Sequence, residues 1–120
     1  MIVSQQEIEV FRAVLANRPE YNDAQEALNI LSENDRDLVQ AYPFLDSAIT
    51  TRGNHLDDLE KLAQVCWEKC RDQLEKVDRT RFVHDSVEAV FHIVLAYAIH
   101  AGITQGIVVG IVFILLKQKF

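Results

Sequence analysis

Two cysteines and four histidines are the residues of this sequence with the clearest capacity for metal or nucleophilic chemistry. Cys66 and Cys70 lie four residues apart, so a helix would place both thiols on one face. A nearby His55 or His84 could then complete a metal site. Structural zinc sites, however, use tighter ligand spacing and four clear ligands, and a disulfide across one helical turn would need strained geometry. We therefore interpret both cysteines as small core residues, and we predict no metal site and no cofactor.

Three of the histidines, His84, His92 and His100, recur at intervals of eight residues in the C-terminal part of the chain. In a membrane helix such residues would suggest proton or ligand chemistry. In a helical bundle each would be a core or boundary histidine with one hydrogen bond. We favour the bundle interpretation. If these histidines are buried and neutral, mild acid should charge them and loosen the C-terminal segment, which would provide a trigger for membrane insertion.

The acidic residues are numerous, but their pattern does not indicate an active site. They fall on the solvated faces of predicted helices, there is no glycine-rich phosphate loop, and no Cys–His pair has a third residue to orient it. The net charge of −6 also argues against nucleic-acid binding, which needs clustered Lys and Arg. We predict a protein that is neither an enzyme nor a nucleic-acid binder.

Hydrophobic periodicity predicts helices, with no alternation typical of a sheet, in the first half of the chain. Ser4 and Glu7 form a capping box before the first helix, and Asp23 with Glu26 marks the start of a second. The apolar stripes of the first three helices are Ile8, Phe11 and Leu15, then Ala24, Ala27, Leu28 and Leu31, then Leu38, Ala41, Tyr42 and Leu45. Each stripe needs an apolar partner elsewhere in the chain.

The longest amphipathic helix is predicted between residues 54 and 78, after a loop at residues 50–54. Its apolar residues recur at steps of three or four from residue 56 to residue 77, and its opposite face is charged. Trp67 lies just off the stripe and is either a residue at the rim of the core or an interface anchor. Leu59 and Trp67 are the residues of this helix that we expect to contact a partner protein.

The C-terminal segment differs in character from the rest of the chain. All 18 acidic residues and ten of the 12 basic residues lie at or before Glu88, and the 28 residues from 89 to 116 carry no formal charge. This segment could be a spanning helix, a hairpin that can enter a membrane, or a hairpin buried permanently in a soluble bundle. A hairpin turning at Ala101 and Gly102 has arms of about 14 residues, or roughly 21 Å, which suits a helix pair inside a bundle better than a membrane span.

Gly102, Gly106 and Gly110 are spaced by four residues within this apolar segment. One interpretation places all three on one helix face, where small residues let a second helix approach closely. Val109 and Phe113 would then join them in membrane association or self-association. In the other interpretation Gly102 only ends the fifth helix, and Gly106 and Gly110 form a close-packing pair. Both interpretations are compatible with the spacing.

The stretch AQEALNILSENDRDLVQAY resembles the second and third helices of ubiquitin-associated-like three-helix modules. Those helices show an Ala-x-x-Ala-Leu pattern, an Asn or Asp turn and an acidic-Leu-x-x-Ala helix. RPEYN stands where that family has its first-loop signature, so ubiquitin binding is not carried over. The matching residues here are Ala24, Ala27, Leu28, Asn34, Asp37, Leu38 and Ala41.

The whole plan is similar to that of small α-helical proteins of cyanobacterial type. Those proteins combine a PEYxDAQEALxIL segment, a CxxxxRxxL-like helix and an apolar C-terminal hairpin ending in basic residues. The corresponding segments here are residues 19–31, residues 66–74 and the tail to Lys119. The resemblance implies a helical fold and brings no function with it. By analogy alone, the size and make-up also resemble helical adaptor modules of bacterial conflict and signalling systems.

We therefore predict a single all-α domain, a bundle of five to six helices with a hydrophobic C-terminal hairpin. Residues 1–50 would form a small helical subunit, residues 54–78 a long helix and residues 80–117 the hairpin. The predicted function is a non-enzymatic interaction or adaptor protein whose hairpin associates with a membrane or self-assembles. The alternative is a soluble interaction module with the hairpin as permanent core. The lack of a signal-peptide pattern and the low cysteine content favour the cytoplasm, with membrane association through the hairpin.

Overall fold

Six α-helices and one short 3-10 turn make up the part of the chain that the computed structural model describes, residues 1–45 and 55–118. In chain order they are α1 (Gln5–Leu15), the turn Pro19–Tyr21, α2 (Asn22–Glu33), α3 (Leu38–Leu45), α4 (His55–Leu74), α5 (His84–Ala101) and α6 (Gln105–Lys117). Within these residues the only β-pairing is one bridge between Ile2 and Asp37. The predicted all-α bundle with a C-terminal helical hairpin is confirmed.

Several predicted features lie outside the described residues. The loop at residues 50–54 is one of them, as is the end of the predicted 1–50 subunit. Lys119, at the predicted basic end of the hairpin, is another. The side chains of His55, Leu56 and Asp57 at the start of α4 are likewise outside the description.

The capping box predicted at the start of α1 is confirmed. Ser4 Oγ accepts a hydrogen bond from the amide of Glu7 at 3.0 Å, and Glu7 Oε1 accepts one from the amide of Ser4 at 2.8 Å. These two bonds satisfy backbone donors that a helix N-terminus otherwise leaves unpaired. The stripe that follows, with Ile8, Phe11 and Leu15, is buried as its period indicates.

The segment between α4 and α5 is longer than the sequence pattern indicated. α4 ends at Leu74 and α5 begins at His84, whereas the long helix was predicted to reach residue 78 and the hairpin to begin at residue 80. In this segment Asp78 accepts hydrogen bonds from the amide and the hydroxyl of Thr80. An Asp side chain that bonds to nearby backbone stabilises a turn in competition with a helix, which explains the later start of α5.

A turn at Gly102 joins α5 to α6. Gly102 has a φ of +72°, and the amide of Ile103 donates to the carbonyl of Ala98 at 3.0 Å. Because a Cβ disfavours this left-handed backbone conformation, glycine is the residue type best suited to end α5 here. Gly102 is therefore the helix stop of the second interpretation and does not lie on the same helix as the other two glycines.

α6 forms the centre of the bundle. Its residues 106–115 are all buried, and it contacts α2, α3, α4 and α5. α1 reaches α6 through the rings of Phe11 and Phe113, whose centroids are 5.5 Å apart. Every other helix in the described ranges thus packs against α6. The buried residues 106–115, which carry no charge, supply the partner that the upstream apolar stripes need.

Candidate functional site

Four of the residues predicted to carry membrane association or self-association lie inside the bundle. Gly106, Val109, Gly110 and Phe113 are all buried on α6. Gly102 is exposed, but it lies in the turn after α5. In the structure described here, the four buried residues pack in the core of their own domain.

Gly106 and Gly110 permit two close approaches within the bundle. A Cβ built on Gly106 would overlap the backbone carbonyl oxygen of Leu45 at the end of α3. A Cβ built on Gly110 would lie 2.9 Å from Cδ2 of Leu59 on α4. The two glycines therefore bring α3 and α4 against α6, and the close packing occurs inside one chain.

The two residues predicted to bind a partner are also covered. Leu59 is fully buried, and Trp67 has an exposed fraction of only 7%. The guanidinium of Arg79 lies 4.2 Å from the centroid of the Trp67 ring, and that of Arg71 lies 5.7 Å from it. Cation–π contacts of this kind hold the indole against its own domain, at the edge of the core.

Cys66 and Cys70 are free thiols on the buried face of α4. Burial, with a smaller contribution from the neighbouring Cys70, raises the pKa of Cys66 to about 12, and burial also raises the pKa of Cys70. Because the thiolate is the metal ligand and the nucleophile, neither cysteine is suited to either role. Among the described residues, no three His, Cys, Asp or Glu side chains lie together as a metal site requires.

The histidines of α5 are on its outer surface. His84, His92 and His100 are all exposed, whereas the residues that α5 turns toward the core are apolar apart from Ser86. Nε2 of His92 lies 3.4 Å from a guanidinium nitrogen of Arg18, which also pairs with Glu88 at 3.3 Å. The premise of the acid trigger, that these histidines are buried, is therefore wrong. Each step of eight residues turns about 80° around a helix, so the spacing carries the three histidines progressively around α5 and does not indicate which of them are covered.

Gln105 fixes the N-terminal end of α6 to α2. Its amide oxygen accepts a hydrogen bond from the backbone N–H of Ala24 at 3.2 Å, and its amide nitrogen donates to the carbonyl of Glu20 at 2.8 Å. The N-cap residue of α2, Tyr21, makes no side-chain capping bond. Asp23 lies inside α2, so the prediction that α2 starts at Asp23 is wrong. The first turn of α2 is instead capped from α6.

Lys117 fixes the other end of α6 to α1. Its Nζ donates to Glu7 Oε1 at 2.7 Å and lies 3.4 Å from the carbonyl oxygen of Ile2. Partial burial alone would raise the pKa of Glu7. The bonds from Lys117 and Ser4, together with the charge of Lys117, outweigh that burial and hold the pKa of Glu7 below its ordinary value. The capping box of α1 is thereby joined to α6.

A groove between α2, α3 and the start of α6 exposes apolar surface. Two adjoining depressions, with volumes of about 610 and 410 Å³, share Ile30 and Phe44 in their walls. Phe44 has an exposed fraction of 60%, and Ile30 and Pro43 beside it are half-buried. We call this surface the Phe44 groove. It is lined by Asp23, Glu26, Ala27, Ile30, Glu33, Asn34, Pro43, Phe44, Leu45, Thr104 and Gly106.

The α2 wall of the Phe44 groove carries acidic side chains. Asp23, Glu26 and Glu33 are exposed. Glu26 lies four residues before Ile30, and Glu33 lies three residues after it. Glu26, Ile30 and Glu33 therefore share one face of α2. None of the described residues that line the groove is Lys or Arg. The groove therefore presents an apolar floor with a negatively charged rim, and it is open enough for a side chain or segment of another molecule to enter.

The Phe44 groove was not predicted from the sequence. Leu38, Ala41, Tyr42 and Leu45 form the predicted apolar stripe of the third helix, and all four are buried. Phe44 lies off that stripe, and a large aromatic residue at such a position was the available signal. Whether a neighbouring helix covers it depends on how α2 and α6 are placed around α3, which the period of α3 alone does not indicate.

Comparison with protein-family models, with curated proteins and with solved structures finds no match for this chain. The resemblances to ubiquitin-associated-like helices and to small cyanobacterial helical proteins stay predictions.

Across residues 1–45 and 55–118, no helix combines the length and the apolar character needed to cross a membrane.

Proposed function

We propose that this chain is a non-enzymatic protein-interaction module whose C-terminal hairpin, α5 and α6, is a permanent core. The observation that carries the proposal is Phe44, a large aromatic side chain that is 60% exposed in a groove also lined by Ile30 and Pro43. Contiguous exposed apolar surface with a polar rim is typical of interaction sites. The groove supports binding of an apolar segment of a partner protein.

The burial of α6 favours a permanent core over a hairpin that leaves the bundle. Residues 106–115 are buried, and Gln105 and Lys117 bond to other helices at the two ends of α6. Removing α6 would expose the apolar stripes of the helices that pack on it, and burial of such surface is the dominant stabilising contribution to folding. Membrane association or self-assembly through the α6 glycines would require new contacts large enough to offset that exposure.

Liposome flotation combined with hydrogen exchange tests the permanent core. We expect the protein to stay out of the floating fraction with neutral and with anionic vesicles, at about pH 7 and about pH 5. We also expect the amides of α6 to exchange as slowly as the slowest amides of α2 and α4, because α6 should open only with the whole domain. Flotation accompanied by loss of α6 protection would overturn this part of the proposal and favour a hairpin that enters membranes.

Selection from a displayed peptide library tests the groove as an interaction site. We expect the protein to enrich peptides with a shared pattern, and Phe44→Ser to bind them at least about tenfold more weakly. Val65→Ser is the matched control, since Val65 is an exposed apolar residue on α4 that does not line the groove. A selection without enrichment, or peptides that bind the Phe44 variant equally well, would refute the groove as the interaction site.

A further inference from the structure

The charges around the Phe44 groove indicate which partners it would favour. Asp23, Glu26 and Glu33 place three exposed carboxylates on its α2 wall. The start of α6 also lies in the wall, at Thr104 and Gly106, and a helix N-terminus carries about half a positive charge. Three full negative charges outweigh that partial positive charge, so the rim of the groove is electronegative.

The spacing of these carboxylates along α2 determines the spacing of positive charges that a partner would need. Glu26 and Glu33 are seven residues apart, which is about 10.5 Å along α2, and Ile30 lies between them on the same face. Phe44 shares both depressions with Ile30. Along α2 the groove therefore alternates in the order acidic, apolar, acidic. A helix lying parallel or antiparallel to α2 has the same seven-residue repeat on one of its faces.

We propose that the Phe44 groove binds a cationic amphipathic helix of a partner protein. The inference rests on the proposed function and names the class of partner. Apolar side chains of that helix, three or four residues apart, contact Ile30 and Phe44, and two Lys or Arg residues seven apart lie beside Glu26 and Glu33. A second copy of this chain is disfavoured as the occupant, because residues 1–88 carry a net charge of −8 and two copies would bring like charges together.

Fluorescence anisotropy with three labelled model peptides tests the inference. The peptides are about 15 residues long, share the same leucine positions, and carry Lys, Gln or Glu at two positions seven residues apart beside the leucines. We expect the Lys peptide to bind at least about tenfold more tightly than the Gln peptide, and the Glu peptide to bind more weakly still. We expect the preference for Lys to shrink between about 0.05 and 0.5 M salt, because the rim charges are exposed and screened.

Two charge-reversal variants test whether the acidic side chains at the rim of the groove cause the preference for the Lys peptide. The double variant Glu26→Lys/Glu33→Lys should bind the Lys peptide at least about tenfold more weakly than the unchanged protein. The double variant Glu9→Lys/Glu75→Lys changes the net charge equally at exposed positions outside the groove and should bind within about twofold of the unchanged protein. Thermal unfolding by circular dichroism confirms that both variants are folded before binding is measured.

The outcomes separate this inference from the proposed function. Equal binding of the Lys and Gln peptides, with both dependent on Phe44, would overturn the cationic partner and leave the interaction module standing. The same holds if library selection yields Phe44-dependent peptides that are not cationic. If neither selection nor the model peptides show Phe44-dependent binding, both proposals fail. Dimerisation that depends on Phe44 in sedimentation equilibrium would identify a second copy as the occupant and overturn the inference.

Discussion

Gln105 and Ala24 are 81 residues apart in the sequence and share a hydrogen bond of 3.2 Å that caps the first turn of α2. The same side chain donates to the carbonyl of Glu20 at 2.8 Å. Because a helix leaves its first amides without partners of its own, the start of α2 depends on α6 being in place. The contact explains why a polar residue stands directly before the buried residues 106–115 of α6.

Replacing Gln105 with Leu should destabilise the domain by about 1–2 kcal/mol, because it leaves the amide of Ala24 and the carbonyl of Glu20 without this partner. Urea unfolding followed by circular dichroism measures the change. Gln64→Leu is the matched control, since Gln64 is exposed on α4 and its side chain bonds to the exposed side chain of Glu68, and its effect should stay within about 0.5 kcal/mol. Equal destabilisation by the two changes would show that the Gln105 cap contributes nothing.

Replacing Gly106 and Gly110 of α6 with alanine, one at a time, should change the stability of the domain by unequal amounts. A Cβ at Gly106 meets the backbone carbonyl of Leu45, so α3 or α6 must move, and we expect a net loss of about 2 kcal/mol despite the better helix propensity of Ala. A Cβ at Gly110 meets the end of the Leu59 side chain, which can adjust, so the net change should be within about 1 kcal/mol. Denaturant unfolding midpoints give the comparison, and a reversed order would contradict the packing described.

The contact between Glu7 and Lys117 should make part of the domain's free energy of unfolding depend on pH in the acidic range. The folded-state pKa of Glu7 lies below its ordinary value of 4.5, so the contact stabilises the domain above about pH 4.5 and is lost as pH falls through the folded pKa. We expect Glu7→Gln to reduce stability by about 1 kcal/mol at neutral pH and to match the unchanged protein once the pH lies below the folded-state pKa of Glu7. This contact contributes no change between about pH 7 and 5.

Urea unfolding at a series of pH values measures the pH dependence of the Glu7 contact. Glu9→Gln serves as the control, because Glu9 is exposed on the same helix and has no bond to α6 among the described contacts. Its stability difference from the unchanged protein should be small at every pH. A stability loss for Glu7→Gln that persists unchanged to the lowest pH would exclude the charged form of Glu7 as its cause.

The two cysteines should differ in reactivity. With a pKa of about 12, Cys66 has a thiolate fraction about a thousandfold below that of an ordinary cysteine, whereas Cys70 is less deeply buried. We expect a disulfide reagent at mildly alkaline pH to modify Cys70 first and Cys66 only as the domain opens. The single variants Cys66→Ala and Cys70→Ala assign the two rates, and urea should make them equal. Fast native modification of Cys66 would contradict its burial.

Local sequence determined some helix features and not others. The capping box of α1 joins Ser4 to a residue three positions later, so the pattern alone predicts it. The cap of α2 comes from Gln105, and no local pattern at Asp23 reports a partner in another helix. The exposure of Phe44 is similar, since it depends on where α2 ends up relative to α3. What could be predicted was periodic or local, and what could not depended on contacts between helices.

In the C-terminal segment, too, local features were predicted from the sequence and contacts between helices were not. Its lack of charge predicted a helix pair that the other helices would cover, and α6 is buried as that reasoning requires. The spacing of Gly106 and Gly110 predicted a close approach, but it could not show that the approaching atoms belong to Leu45 and Leu59 of the same chain. The spacing of small residues predicts that another segment packs closely against the helix, but only the folded structure shows which segment it is.

The order in which the helices are synthesised has a consequence for this bundle. α6 follows the other described helices in the chain, and all of them pack on it. At a translation rate of about 5–20 residues per second, the earlier helices leave the ribosome with apolar stripes that have no lasting partner for several seconds. The core can be completed only once α6 has emerged, and until then the nascent chain exposes apolar surface of the kind that favours aggregation.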